Sequence, residues 1–233
     1  MKEYKLAGNE FCDFEKVVAI PGMPSILNFK FGTKRNFDPI TGSGIYSIYY
    51  DSILLYVGEY NGETKKGLKD PFSGSVTDRW YKHIALLTGR SNRIFFNKTN
   101  LDKIKKMENC ELKNLILEGD PKVLVPPKER GHNYHFNKFK FSAENWDDFK
   151  NFDAETLKRF TFCYRQYIPS DFDTSDLIAI RKIVGRVETT IINKLRPRCN
   201  AYVTDPSAFN MDESLSIIKE EMTKVQTSAI HLQ

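Results

Sequence analysis

The sequence predicts an α+β fold, a small antiparallel β-sheet flanked by helices, and three observations carry that prediction. Gly44 to Tyr50 and Ser52 to Val57 are β-branched and aromatic runs split by Asp51, the pattern of a hairpin. Leu177, Ile180, Val184, Val187, Ile191 and Leu195 recur at helical spacing and stop before Pro197. The chain has 233 residues, 40% of them hydrophobic, which suffices for the core of one elaborated domain.

Residues 1 to 43 hold Pro21, Gly22, Pro24, Gly32, Pro39 and Gly42, so an N-terminal arm of loops and short elements is expected there. The hairpin should turn near Tyr50 and Asp51. Glu59 to Ser75 is rich in Gly, Lys and Asp and reads as a long basic loop. Val76, Trp80, Ile84 and Leu87 mark a helix, with Ser75 or Thr77 to cap it and Gly89 to end it. Arg93 to Lys98 reads as a short strand, and Leu101 to Glu118 as a helix closed by Gly119-Asp120-Pro121. Residues 119 to 157 are expected as an insertion that contacts DNA: the stretch through Pro126-Pro127 and Lys128 to Gly131 is punctuated and charged, and His135 to Phe141 alternates basic and aromatic residues at strand period. Lys158 to Ile168 is a further aromatic strand. Asp173 or Thr174 opens the helix that ends at Leu195, and residues 206 to 233 form a tail with a helix over 212 to 223 and a frayed end. The central domain thus spans residues 44 to 205.

Thirty-five basic against 30 acidic residues give a net charge of +5, a balance that favours a polyanionic partner. Cys12, Cys110, Cys163 and Cys199 contain no C-x-x-C pair, which argues against a zinc ribbon and a disulfide framework and for reduced thiols in the cytoplasm. The N-terminus lacks an apolar leader, and no stretch approaches the roughly 20 apolar residues of a bilayer span, so no membrane partner is expected.

Gly44-Ile45-Tyr46, Tyr56-Val57-Gly58, Arg79 with His83, Glu188 and Asn200 follow one another in that order. Two phenols, a guanidinium, an imidazole and one carboxylate suit hydrolysis of a phosphodiester with a single metal ion. Either triplet alone is common in strands rich in Ile, Val and Tyr; the conjunction is specific. On these residues the chain resembles the GIY-YIG nuclease superfamily, with Val57 where the family usually has Ile. The resemblance covers residues 44 to 58, 79 to 83 and 188 to 200.

The resemblance implies a role for each residue. Tyr46 would be the general base or its relay, with cations of Arg79, His83 and the lysine loop favouring the phenolate of a group whose free pKa is about 10. Tyr56 would donate to the scissile phosphate or the attacking water, Arg79 would clamp a nonbridging oxygen, and His83 would orient Tyr46 or the phosphate. Glu188 would be the sole protein ligand of one Mg²⁺, for which Mn²⁺ may stand in, and Asn200 would hold the loop geometry or a phosphate. Gly58 would let the backbone approach the DNA. Outside the motif, Lys65, Lys66 and Lys69 read as phosphate contacts or as a solvated cluster. Asn133, Asn137, Lys138 and Lys140 read as contacts to bases and phosphates, or as part of an edge strand guarded by its lysines.

A compact chain with an N-terminal arm, an enlarged loop before the arginine helix and the R-x-x-x-H spacing looks most like the type II restriction endonuclease branch. The expectation is a Mg²⁺-dependent, sequence-specific endonuclease of double-stranded DNA that leaves 5′-phosphate and 3′-hydroxyl ends. A homodimer would match a palindromic target, with the segments before residue 44 and after residue 205 as its contacts, and a cognate DNA methyltransferase would act on the same site. The alternatives are a structure-specific or nicking nuclease of a phage or mobile element and, from another class, a non-catalytic DNA-binding module.

Overall fold

Strands whose alternate residues are large and apolar on both sides must be covered on both sides, and the central sheet of this chain is. The structure, a computed structural model, describes residues 2–16, 29–65, 68–70, 74–90, 98–104, 106–120, 122–124, 136–167, 177–201 and 203–230. The chain begins with β1 (Glu3–Ala7), the one-turn helix α1 (Gly8–Phe11), and an antiparallel pair, β2 (Cys12–Lys16) and β3 (Phe29–Thr33). The hairpin β4 (Gly44–Tyr50) and β5 (Ile53–Tyr60) follows, then a small ladder of β6 (Glu63–Lys65) and β7 (Leu68–Asp70). Among the described residues a run of α-helices comes next: α2 (Thr77–Leu87), α3 (Leu101–Ile104), α4 (Asn109–Glu118), α5 (Phe136–Glu144), α6 (Trp146–Lys150) and α7 (Ala154–Lys158). Then β8 (Phe160–Gln166), α8 (Leu177–Leu195) and α9 (Met211–Ile230) complete an α+β architecture.

The main sheet has the order β1-β8-β4-β5 and is antiparallel throughout. Tyr46, Ile48 and Tyr50 share one face with Tyr164, Phe162 and Phe160, and pack against Trp80, Ile84 and Leu87 of α2. Ile45, Tyr49, Leu54 and Val57 face the other way, onto Val184, Val187 and Ile191 of α8 and Ile218 and Met222 of α9. Complete burial of one such side chain contributes roughly 1.5–3 kcal/mol, so both helical layers are bound tightly to the sheet. No helix among the described residues is long and apolar enough to cross a membrane.

Two details of the hairpin decide which side chains meet. Asp51 and Ser52 link the strands with φ of 49° and 64°, the double positive φ that matches a two-residue turn to the strand twist. Beyond it the pairing runs Tyr49↔Leu54 but Ile48↔Tyr56, so Leu55 is an extra residue, a β-bulge. In consequence Leu55 and Tyr56 both lie on the α2 side, whereas Leu54 and Val57 lie on the α8 side. The bulge therefore puts Tyr56 on the same face as Tyr46.

Several expectations are corrected. Within the segment expected as a basic loop, β5 continues to Tyr60 and β6 pairs with β7, Thr64 opposite Lys69, while residues 66, 67 and 71 to 73 lie outside the described residues. Residues 136 to 144 form helix α5 where strand alternation was expected; Phe136 and Phe139 are one helical turn apart and pack against α4. The expected helix from Leu101 to Glu118 is broken into α3 and α4, though Gly119 does end it, at φ 70°. The tail is helical to Ile230 instead of fraying. Val76 precedes α2 in helical conformation, and the Ser75 hydroxyl accepts from the Thr77 amide at 3.4 Å, as one of the expected caps would; Gly89 has the expected positive φ of 69°. Within the segment expected as an arm, β1 pairs along β8 from Glu3↔Arg165 to Ala7↔Thr161, so it belongs to the main sheet. The strand expected at Arg93 and the caps at Asp173 or Thr174 lie outside the described residues.

Candidate active site

β5 is an edge strand, and an edge strand has a row of backbone groups that need partners. The chain covers that row with the residues the motif singled out. The Asn200 side chain accepts from the Val57 amide at 2.9 Å and donates to the Val57 carbonyl at 2.7 Å, as a neighbouring strand would. The Glu59 amide donates to Oε1 of Glu188 at 3.0 Å, and the Cys199 amide donates to the Leu55 carbonyl at 2.8 Å. Glu188, on the half-buried flank of α8, and Asn200, just beyond that helix, are thus both anchored on β5.

On the α2 side, the phenol oxygen of Tyr46 lies 2.9 Å from Nε2 of His83. The His83 ring is 4.5 Å from that of Tyr56, and the two tyrosine rings are 6.0 Å apart. Arg79, one helical turn before His83, is exposed. Burial pushes the Tyr46 phenol well above its ordinary pKa, reinforced by Tyr56 and Glu188, and Arg79 opposes this only in part. This direction is opposite to the one the expected phenolate needs, because burial of the phenol outweighs the guanidinium.

Gly58 lies opposite Tyr46. A Cβ at Gly58 would stand 2.6 Å from Cζ and the phenol oxygen of Tyr46 and 2.8 Å from Cε1 of Tyr56. The glycine makes room for the two phenols, a closer reason than the expected approach of DNA.

Helix α5 brings two adjacent side chains to the site. Asn137 donates to the Asn200 carbonyl at 2.6 Å, which commits that amide group to the fold and away from base edges. Lys138 is 2% exposed, with its ammonium 4.1 Å from the centre of the Tyr56 ring. Burial pushes its pKa down to about 8, opposed by Cys199, whose own thiol burial pushes up to about 12. The expected surface contact is thus a buried cation beneath a motif tyrosine. Sequence reasoning missed it because the aromatic alternation at 136 to 141 hid the helical turn that points Lys138 inward. Lys140 is exposed, as a contact residue would be. Lys66 and Asn133 lie outside the described residues, as do the side chains of Lys65 and Lys69, whose backbones are in β6 and β7.

A groove of about 400 Å³ opens at Tyr56, Glu188 and Asn200 and follows α8 past Asn193 to Arg196. Among the described residues no three His, Cys, Asp or Glu side chains converge as a metal cage. What the site offers an ion is one anchored carboxylate at an open groove, a donor set that suits Mg²⁺, which keeps several waters and takes oxygens from its substrate. No family model matches the chain, and neither a curated protein nor a solved structure does.

Proposed function

We propose that this chain is a Mg²⁺-dependent, sequence-specific endonuclease of double-stranded DNA, of the GIY-YIG type and closest in character to the type II restriction enzymes. The observation that carries the reading is the convergence of Tyr46 of β4, Tyr56 of β5, His83 of α2, Glu188 of α8 and Asn200 beyond α8 around the outer edge of β5.

With His83 protonated on Nδ1, Nε2 accepts the Tyr46 hydroxyl proton. A neutral phenol in that position can take a proton from the attacking water as it passes its own to the imidazole, so the pair acts as base without a free phenolate. Water attacks phosphorus, the bond to the 3′ oxygen breaks and the departing oxyanion takes a proton from solvent, so the ends are a 5′-phosphate and a 3′-hydroxyl. Arg79, exposed on α2, donates to nonbridging oxygens whose charge grows in the transition state. Tyr56, held between His83 and Lys138, is a hydrogen-bond donor to the same phosphate. Glu188 would hold the Mg²⁺, which when bound stabilises charge on the phosphate and on the leaving oxygen. Asn200 acts through β5, keeping Tyr56 and Gly58 in register with Tyr46. One such site cuts one strand, so a homodimer is the economical form on a palindrome.

The test is digestion of unmethylated phage and plasmid DNA by the purified protein in Mg²⁺, beside Glu188→Gln. Discrete bands that vanish in the variant are expected. Absence of cleavage, or bands equally strong with the variant, refutes the reading.

A further inference from the structure

The groove extends beyond the candidate active site to Arg196, at the end of α8. The Arg196 amide continues the helix, donating to the Ile192 carbonyl at 2.7 Å, and its φ is 44°, in the left-handed region. Glycine is the residue that adopts this conformation without strain, and the following Pro197 restricts the backbone further. The other non-glycine residues with positive φ among those described are Asp51 and Ser52, short polar residues in a hairpin turn. An arginine in such a place strains the backbone, and its side chain does something glycine cannot.

That side chain lines the groove. Thr189, Asn193 and Arg196 form one polar stripe of α8, beginning beside Glu188. The side chain is 43% exposed and its guanidinium pairs with Asp205 at 3.0 Å, so it is held in place yet remains open to solvent. Glu188 and Arg196 are eight residues apart, about 12 Å along the helix. At about 3.4 Å per base-pair step, that carries the stripe well past the phosphate being cut.

We propose that Arg196 is a binding residue for the DNA backbone, gripping a phosphate about three steps along the strand from the scissile one, with Thr189 and Asn193 facing the intervening backbone. This rests on the nuclease reading. Asp205 holds the guanidinium through one contact until a phosphate takes it over, an exchange of one oxyanion for another.

The test measures binding of random-sequence duplex DNA by fluorescence anisotropy in Mg²⁺ across a salt series. Glu188→Gln serves as the non-cleaving parent and Arg196→Gly in that background as the probe. Glycine relieves the backbone, so the melting temperature should hold or rise while affinity falls about tenfold and the slope of log K against log salt shrinks by about 0.9, one phosphate contact. Unchanged affinity and slope, with or without a lower melting temperature, would leave Arg196 as merely the partner of Asp205 and overturn the proposal alone. Failure of the Glu188→Gln parent to bind duplex DNA would overturn the nuclease reading together with it.

Discussion

Replacing Lys138 by Met tests the buried cation beneath Tyr56. Burial moves the ammonium from 10.5 to about 8, and at about 1.4 kcal/mol per pH unit that gap corresponds to a cost of roughly 3 kcal/mol in the folded state. The Tyr56 ring, 4.1 Å away, returns about 1 kcal/mol. Methionine fills a similar volume without charge, so Lys138→Met should be more stable by about 2 kcal/mol at pH 7. Below about pH 8 both states of the wild-type protein carry the proton and the cost is constant. Between about 8 and 10.5 the folded chain has released it while the unfolded chain still holds it, so wild-type stability gains on that of the variant as pH rises. Urea unfolding of both proteins at pH 7, 8 and 9.5 reads the difference, in which other titrating groups cancel. A variant that is less stable at pH 7, with a gap that does not change with pH, would refute the picture of a desolvated ammonium. Under the nuclease reading the stabilised variant should also cleave DNA more slowly, since Tyr56 loses its cation.

Three further outcomes are expected. Arg79→Ala and Glu188→Ala should each abolish cleavage, the first with a melting temperature near wild type because Arg79 is exposed, the second with a loss of about 1 kcal/mol because the Glu59 amide loses its acceptor; near-normal cutting by either purified variant would sink the mechanism. Tyr46→Phe should fold and bind DNA but lose single-turnover cleavage, and full activity there would remove the phenol from the proton path. Gly58→Ala should destabilise by about 1–3 kcal/mol in urea unfolding and impair cleavage, since its Cβ would meet Tyr46 at 2.6 Å; a neutral effect on both would show that the phenols have room to move.

What was legible in the sequence is what depends on local period and turn chemistry. The hairpin at 44–60, the helices carrying Arg79 and Glu188, and the strand at 160–166 were readable because apolar spacing and Gly or Pro punctuation lie within each segment. The place of β1 was not, since its partner strand lies more than 150 residues away and nothing in Glu3 to Ala7 names it. The environment of Tyr46 was likewise hidden: the motif names the phenol, but only the packed sheet shows that burial outweighs the nearby guanidinium. Lys138 was misplaced for a related reason, because lysine in a charged, aromatic run reads as surface until the helix that buries it is seen.

The extra residue at Leu55 gives the two motif triplets a hidden dependence on phase. Measured from the turn, strict alternation would set Tyr56 across from Ser47 and aim its ring into the layer of α8 and α9; the bulge moves it opposite Ile48. A chain that kept every letter but paired Leu55 regularly with Ile48 would still spell both triplets, keep the arginine, histidine, glutamate and asparagine, and pass any inspection by letter. Its second tyrosine would nonetheless be on the wrong side of the sheet, away from His83. The face that Tyr56 takes is therefore set by the number of paired residues between the turn and the second triplet as well as by the triplet itself: a relative one residue shorter at Leu55 reaches the same face with no bulge, and one that keeps the length needs the bulge.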